Sequence, residues 1–397
     1  APGGFMELRQ RFARCSSGIW GRLAVTLAII CGLVAPAMTQ EKAALRIAVA
    51  GPMSGPFAQM GEQMRRGVLL AVEDINARGG IDGRSVELDV ADDRGDGETA
   101  QAVARNLAKS GVQFVIGHFN SGASIAASEV YAKMGVFMIS PASTNPFFTE
   151  RSGKAKKLWN THRTSGRDDV QGTVLGRYIA EKFPGRNVAV LDDDTPYGQG
   201  LSSKALAALK SAGQPATLSA SIEQGQKDFS ALVARMKNKQ ISVVFFGGLD
   251  KDMGRLVQQS DKAGLKLQFV AGDGVYTFDF PKIAGTAAEG TLMAFSKEDR
   301  SGPDAKAIVE RFRGKGFEPE AYTLKAYAAV QVIAKGAEIA GNSDPKAIAK
   351  AIRSGASIPT VLGPLTFDSN GDRREPDVAI YAWRKDGSGN LVPAQID

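Results

Sequence analysis

Short apolar segments and amphipathic helical patterns alternate along nearly the whole chain, and this alternation restricts the possible folds more than any other feature. Segment 63–78, for example, places apolar residues at helical spacing, and Gly79 and Gly80 end it. Strands that alternate with helices through short loops form parallel sheets covered on both faces. The sequence therefore predicts an α/β protein. The predicted strands are 45–50, 85–91, 114–117, 136–140, 187–191, 216–222, 243–247, 268–271 and 290–294.

The alternation is interrupted once, near residues 161–167, after a connection rich in Pro and Lys. We therefore expect two similar α/β units, one on each side of this break, and 397 residues are enough for two domains. Later helical patterns and a turn are predicted to return to the first unit. They are 306–315, 320–339 and 346–354, and the turn at 363–372.

The first forty residues have the three-part pattern of a secretory signal. Four arginines precede the apolar run 23–34, and Ala35, Pro36 and Ala37 end the segment. This run is shorter than the roughly 20 apolar residues that span a bilayer. We expect residues 1–37 to be a cleaved signal peptide and the mature protein to lie in the periplasm.

Removal of this segment changes two properties of the chain. The segment contains four Arg and one Glu, so the formal net charge falls from +7 to +4 in the mature protein. That charge is spread thinly, and nucleic-acid binding has little support. Cys15 and Cys31 are also removed, so we expect a mature protein without disulfides that depends on its apolar core.

Two neighbouring predicted strands end in small, hydroxyl-rich turns. The strand that ends at Gly117 leads to Asn120 and Ser121, and the strand 136–140 leads to Ser143 and Thr144. Such turns lie together at the carboxyl edge of a parallel sheet, where ligands bind. A helix that begins near Ser121 directs free N–H groups towards that edge. The sequence therefore predicts a pocket for a small anion.

Catalytic and metal sites have little support in the sequence. His118 and His162 are the only histidines, and we expect His118 to pack behind the pocket turn. Segment 92–98 is similar to a calcium loop but lacks required ligands. Both Gly-Lys pairs are followed by Ala155 or Gly316 rather than by Ser or Thr, so no phosphate-binding loop is present. We expect no enzyme activity, no metal and no cofactor.

Seven short motifs, in order, resemble those of the periplasmic leucine/isoleucine/valine-binding proteins of ABC transporters. They are 47–55 (IAVAGPMSG), 74–80 (DINARGG), 115–118 (VIGH), 197–198 (YG), 227–230 (KDFS), 327–329 (YAA) and 363–368 (GPLTFD). The resemblance runs from about residue 45 to residue 383. It implies a type I periplasmic-binding-protein fold: two Rossmann-like lobes with parallel sheets, joined by three crossovers. Lobe one would comprise 44–162 plus 297–372, and lobe two 163–296 plus 373–397.

The resemblance also implies which residues bind the backbone of an amino acid. The ligand carboxylate would contact Thr144 and both the hydroxyl and the N–H of Ser121. The ligand ammonium would contact the Ala142 carbonyl, the Thr144 hydroxyl and Asp273, where leucine-type receptors often have Glu. The residues alone leave other interpretations open, because Ser121 could cap a helix and Asp273 could be a turn residue.

The wall around the ligand side chain resembles the family less closely. Phe119, Tyr197 and Tyr322 would provide apolar or stacking surfaces. Leu249 stands where an aromatic residue is frequent, and an aromatic common in relatives near Met60 is absent. Tyr197 could instead be a contact that closes the lobes. The side chain of the ligand is therefore less well defined than its backbone.

These implications together predict a monomeric periplasmic solute-binding protein that captures a small, aliphatic amino acid and delivers it to an ABC permease. A receptor of the same fold for an amide, a urea or an aromatic acid is an alternative, although it would have no use for Asp273. A secreted enzyme is a remote alternative. Some relatives have a disulfide between the positions of Gly95 and Asn120, and here both cysteines are absent.

Overall fold

A computed structural model describes residues 42–151, 157–297, 303–374 and 378–396. The predicted signal peptide lies outside these residues. The strands form two large sheets and one hairpin. They are β1 (Leu45–Gly51), β2 (Val86–Asp92), β3 (Phe114–Gly117), β4 (Phe137–Ser140), β5 (Thr161–Arg163), β6 (Val188–Asp192), β7 (Leu218–Ser221), β8 (Val243–Gly247), β9 (Gln268–Ala271), β10 (Leu292–Ser296), β11 (Ile358–Thr360), β12 (Gly363–Leu365), β13 (Val378–Lys385) and β14 (Leu391–Gln395).

The first sheet is wholly parallel, with the strand order β2-β1-β3-β4-β5. The three inner strands β1, β3 and β4 are apolar on both faces, as expected where helices cover both faces of a sheet. In β1, Leu45, Ile47 and Val49 belong to the large core cluster, whereas Ala48 and Ala50 belong to a smaller cluster on the other side. The carboxyl ends of β3 and β4 are therefore held side by side by packing above and below.

The second sheet has the strand order β14-β13-β10-β9-β8-β6-β7. Strands β6, β7, β8, β9 and β10 run parallel to one another. Strand β13 is antiparallel to β10 and to β14. The carboxyl ends of β6, β8 and β9 thus share one edge. β11 and β12 form the separate antiparallel hairpin.

The helices pack in pairs, including α1 with α10, α2 with α3, and α4 with α5. Gly67 allows the first of these pairs to approach closely, since a Cβ there would lie 2.2 Å from the Thr323 carbonyl oxygen. Within the described residues, no helix is long and apolar enough to cross a membrane. The helices are α1 (Ala58–Ala77), α2 (Gly97–Lys109), α3 (Ser121–Met134), α4 (Asp168–Lys182), α5 (Pro196–Ser211), α6 (Ser230–Asn238), α7 (Asp250–Lys262), α8 (Asp279–Ala284), α9 (Pro303–Gly314), α10 (Thr323–Ala340) and α11 (Pro345–Ile352).

The α/β fold class predicted from the alternation is confirmed, and every predicted strand overlaps an observed one. The prediction of parallel sheets needs one correction, because β13 and β14 add an antiparallel edge to the second sheet. Antiparallel edge strands on parallel sheets are common in this fold class. The boundaries predicted for the two lobes stay a prediction.

Candidate functional site

A cavity of about 300 Å³ lies at the carboxyl edges of both sheets. This volume is within the range of small-molecule sites. The segment after β3 forms one wall, and residues after β6 and β8 form the opposite one. The lining residues are Gly95, Asp96, Gly97, Phe119, Asn120, Ser121, Gly122, Ala123, Ala142, Thr195, Pro196, Tyr197, Gln224, Leu249, Gly274 and Tyr322.

Most residues predicted for the site line this cavity, namely Phe119, Asn120, Ser121, Ala142, Tyr197, Leu249 and Tyr322. Ser143, Thr144 and Asp273 are buried and are not among the lining residues of the described chain. Ser143 and Asp273 are each next in sequence to a lining residue, and Thr144 follows Ser143. Met60 is only 2% exposed and packs in the apolar core. The structure therefore brings together all the predicted residues except Met60.

Hydrogen bonds between buried serines join the two polar turns. The Ser140 hydroxyl donates to the His118 carbonyl at 2.7 Å and accepts from the Ser143 N–H at 2.8 Å. The Ser143 hydroxyl donates to the Phe119 carbonyl at 3.0 Å and lies 2.6 Å from the Ser124 hydroxyl. The turns after β3 and β4 are thus fixed relative to each other, and the Ser143 hydroxyl is used in fixing them.

The hydroxyl groups of Ser121 and Thr144 lie at the junction of the turns after β3 and β4. Ser121 is the first residue of α3, and its hydroxyl accepts from the Asn145 N–H at 3.3 Å. The residue at the cap position is Asn120, whose side chain makes no capping bond, so Ser121 is not a capping residue. The buried Thr144 hydroxyl has no hydrogen-bond partner among the described residues. Helix N–H groups and hydroxyls at one point suit an anion.

Arg163 holds the backbone around Thr144 through hydrogen bonds to two carbonyl groups. Its guanidinium is fully buried and donates to the carbonyls of Ser143 at 2.7 Å and Asn145 at 3.1 Å. A third donor contacts the Asp372 carboxylate at 2.6 Å. A planar guanidinium with several partners is geometrically specific. It therefore fixes the backbone on both sides of Thr144 through the carbonyls of Ser143 and Asn145.

Asp273 lies opposite the two turns, between two tyrosines. The Tyr197 hydroxyl donates to one carboxylate oxygen at 2.9 Å, and the Tyr322 hydroxyl is 3.2 Å from the other. The Asp273 N–H donates to the side-chain oxygen of Gln171 at 3.1 Å. Burial raises the pKa of the Asp273 carboxyl, although the bond from Tyr197 and the charge of Lys325 oppose that shift. Asp273 begins a short helical turn but is more than a turn residue, because its side chain is part of this cluster.

Asp168 is a buried acid beside Thr144 that the sequence analysis did not identify. It is the first residue of α4, it is fully buried, and its N–H donates to the Thr144 carbonyl at 2.9 Å. Neither oxygen of its carboxyl group has a hydrogen-bond partner within the described ranges. Burial raises its pKa well above the usual value. Acids are common in first turns of helices, so the sequence offered only a weak signal.

His118 packs behind the turn after β3, as predicted. Its ring is fully buried, with Nδ1 2.5 Å from the Asp93 carboxylate and Nε2 3.2 Å from the Tyr131 hydroxyl.

The positions of the disulfide of some relatives are adjacent here, because a Cβ on Gly95 would lie 2.9 Å from the Asn120 side-chain oxygen. Close packing of Gly95 against Asn120 therefore holds this corner without a covalent link.

The two sheets and the cavity at their carboxyl edges define an α/β receptor for a small solute. The chain belongs to the periplasmic binding protein family, whose model matches residues 44–388. A curated relative, Leu/Ile/Val-binding protein homolog 1 of Brucella suis, is 45% identical over 86% of this chain and 91% of its own length.

Two further proteins support the assignment. The leucine-, isoleucine-, valine-, threonine-, and alanine-binding protein of Pseudomonas aeruginosa is 38% identical over 88% of this chain and 92% of its own length. The crystal structure of the leucine binding protein LivK of Thermotoga maritima has a TM-score of 0.80 and 27% identity, and it covers 89% of this chain and 99% of that one. The resemblance seen in the sequence is therefore confirmed as family membership.

Proposed function

We propose that this protein captures an aliphatic α-amino acid in the periplasm and delivers it to the membrane permease of an ABC transporter. The observation that carries the proposal is the pairing, around one cavity, of an anion-binding junction with a buried acid on the opposite sheet. The names of the relatives support branched-chain amino acids as the ligands. The signal peptide predicted at residues 1–37 supports export to the periplasm.

The carboxylate of the ligand would bind at the junction of the two turns. Its oxygens would accept from the Ser121 hydroxyl, from the N–H groups at the start of α3 and from the Thr144 hydroxyl. The Thr144 hydroxyl has no other partner among the described residues, so the ligand would satisfy a buried polar group. Charge-assisted hydrogen bonds of this kind are the strong ones.

The ammonium of the ligand would lie towards Asp273. The Ala142 carbonyl and the Thr144 hydroxyl would complete its hydrogen bonds. In a cavity that excludes water, a carboxylate opposite an ammonium stabilises the complex more than it would in solvent. A neutral amide or a simple acid would leave Asp273 without a cationic partner. This favours an amino acid as the ligand over an amide, a urea or an aromatic acid.

The side chain of the ligand would contact Phe119, Leu249 and Tyr322. Phe119 and Tyr322 pack edge to face with ring centroids 4.9 Å apart, and all three line the cavity. Their surface is mainly apolar, and the burial of an aliphatic side chain against it would contribute roughly 25 cal/mol per Å² of apolar area. This wall supports Leu, Ile or Val rather than a charged amino acid.

The proposal is tested with a ligand screen and one double variant. Wild-type protein, unfolded and refolded to remove bound ligand, is screened by thermal shift with L-leucine, L-isoleucine, L-valine, L-alanine, L-phenylalanine, benzoate, urea and acetamide. We expect the branched-chain amino acids to raise the melting temperature most, since a ligand of the folded state stabilises it by mass action. A larger shift with benzoate, urea or acetamide would contradict the proposal.

The double variant Ser121→Ala/Thr144→Val removes both hydroxyls from the junction. Each hydrogen bond to a charged group contributes about 1.5 to 3 kcal/mol, so the affinity for L-leucine should fall by at least about a hundredfold. The matched control is Ser203→Ala, which removes an exposed hydroxyl that bonds only within α5. Calorimetric titration that finds equal affinities in the double variant and the control would exclude the junction as the carboxylate site.

A further inference from the structure

Asn120 has a polar side chain in the wall of the cavity that makes no hydrogen bond to the described residues. It occupies the cap position of α3, but its side chain makes no capping bond. Its amide oxygen is buried and has no hydrogen-bond partner within the described ranges. The residue as a whole is partly exposed and lines the cavity. The amide is therefore available to a molecule that fills the cavity.

The other polar side chains that line the cavity are already bonded within the protein. Their hydrogen bonds join Asp96 to Thr99, Ser121 to the Asn145 N–H, Thr195 and Gln224 to Asp193, and Tyr197 and Tyr322 to Asp273. Asn120 thus differs from the rest of the lining in the described chain. A polar group without an internal partner in a binding site is bonded by water or by a ligand.

Gly95 allows the Asn120 side chain to lie close to the backbone of the loop after β2. A Cβ at position 95 would lie 2.9 Å from the Asn120 amide oxygen and 3.4 Å from the carbon that bears it. Gly95 has a φ of +75°, a conformation that residues with side chains rarely adopt. The amide oxygen therefore faces this loop, and the amide N–H groups are directed away from it. Because an amide both donates and accepts, either end can bond a hydroxyl group.

The position of Asn120 in the chain indicates which part of the ligand it can reach. It directly precedes Ser121, which the proposed function places at the ligand carboxylate. Consecutive Cα atoms lie about 3.8 Å apart, and the Cβ atom of an amino acid is two bonds from its carboxylate carbon. We therefore expect Asn120 to reach a group on the ligand Cβ rather than the end of a long side chain.

We propose that Asn120 is a specificity-determining residue that bonds a hydroxyl group on the Cβ atom of the ligand. This inference rests on the proposed function, and it extends the ligands from aliphatic amino acids to small hydroxy amino acids such as L-threonine. L-Threonine and L-valine have nearly the same shape, so the apolar wall of Phe119, Leu249 and Tyr322 accommodates either. An apolar pocket alone prefers valine by about a hundredfold. A hydrogen bond from Asn120 should reduce this preference to about tenfold or less.

The test is the variant Asn120→Leu, which replaces the amide by an apolar group of similar size. Calorimetric titration of ligand-free protein with L-valine and with L-threonine measures the ratio of the two affinities. In the variant this ratio should rise in favour of L-valine by at least about fivefold, because the threonine hydroxyl is then buried without a partner. The matched control is Asn106→Leu, the same substitution at an exposed position of α2 that does not line the cavity. It should leave the ratio within about twofold of wild type.

The melting temperature of ligand-free Asn120→Leu separates the loss of a ligand contact from damage to the fold. It should be close to that of wild type, since the Asn120 side chain makes no hydrogen bond that the variant loses. The same affinity ratio in wild type and in Asn120→Leu would overturn the inference, and so would equal losses of affinity for both amino acids. Failure of wild type to bind any amino acid would instead overturn the proposed function.

A second measurement needs only the wild-type protein. L-Threonine and L-allo-threonine exchange the positions of the hydroxyl and the methyl group on Cβ. Because a hydrogen bond from Asn120 is directional, the two affinities should differ by at least about threefold. Equal affinities for the two isomers, or binding of L-valine without detectable binding of either isomer, would overturn the inference.

Discussion

At the scale of single residues, Asp193 has a carboxyl group whose protonation is coupled to folding. Burial raises its pKa to about 6, against hydrogen bonds from the Thr195 hydroxyl and N–H and from the Gln224 amide. The folded state therefore holds the proton more tightly than the unfolded chain, whose aspartates titrate near pH 4. This group favours folding more as the pH falls from about 7 to 4.

The variant Asp193→Asn should remove this dependence, because its side-chain oxygen can still accept from Thr195 while the charge is gone. We expect the variant to gain stability over wild type as the pH rises from 4 to 7, by up to about 3 kcal/mol. Thermal unfolding of both proteins at pH 4, 5.5 and 7 measures this difference. A difference that is constant across these pH values would show that Asp193 keeps an ordinary pKa.

The sequence predicted the residues at the turns but not the fully buried Asp168. Ser121 and Thr144 follow apolar strands in hydroxyl-rich turns, a local pattern that requires no knowledge of distant contacts. Asp168 could not be recognised in this way, since its burial depends on contacts with α5 and with the turn after β4. The predicted Met60 is in the core because its position in the first turn of α1 faces inward.

At the scale of the elements, Arg163 in β5 fixes the turn after β4. It bonds the carbonyls on both sides of Thr144 and is paired with the buried Asp372. We expect Arg163→Met to lower the free energy of unfolding by about 3 to 5 kcal/mol, because one partner of a buried pair is removed. Ligand affinity should fall as well, since the turn loses its support.

The control for this prediction is Arg46→Met, which breaks the half-exposed pair between Arg46 and Asp89 at the other side of the same sheet. That change should cost about 1 kcal/mol or less. Denaturant unfolding and leucine titration of both variants provide the comparison. Equal stability losses in the two variants would show that the Arg163 contacts contribute no more than a surface pair.

The elements that the sequence missed are those without the strand–helix rhythm. β5 has three residues, too few to show a periodicity. β13 has a continuous apolar run but belongs to an antiparallel pair with β14, so it lies outside the alternation that identified the other strands. β5 and β13 are identified as strands only by their hydrogen-bonded pairing with β4 and with β10 and β14.

At the scale of the whole molecule, several hydrogen bonds join elements of the first sheet's side to those of the second. The Asn145 amide donates to the Pro196 carbonyl at 2.6 Å, and the Phe278 N–H donates to Glu320 at 3.2 Å. Tyr322 and Asp273 make a third contact of this kind beside the cavity. We propose that these contacts belong to the closed state of two lobes that rotate about their crossovers.

Addition of L-leucine should therefore make the molecule more compact. We expect a smaller radius of gyration by small-angle scattering when ligand-free protein is saturated with ligand. The variant Asn145→Ala, which loses one contact between the two sides, should close less completely or at higher ligand concentration. A radius that stays the same in wild type would show that the two halves form a rigid body.

The corner formed by Gly95 and Asn120 is held without a covalent link, and the chain has no cysteine after Cys31. Gln224 lines the cavity and is partly exposed. In the mature protein that the predicted cleavage after residue 37 would give, a single cysteine introduced at Gln224 would be the only thiol. The solvent exposure of a fluorophore attached there would decrease when a ligand fills the cavity. The absence of cysteines after Cys31 thus allows a fluorescent sensor of the ligand to be built on the mature protein with one introduced thiol.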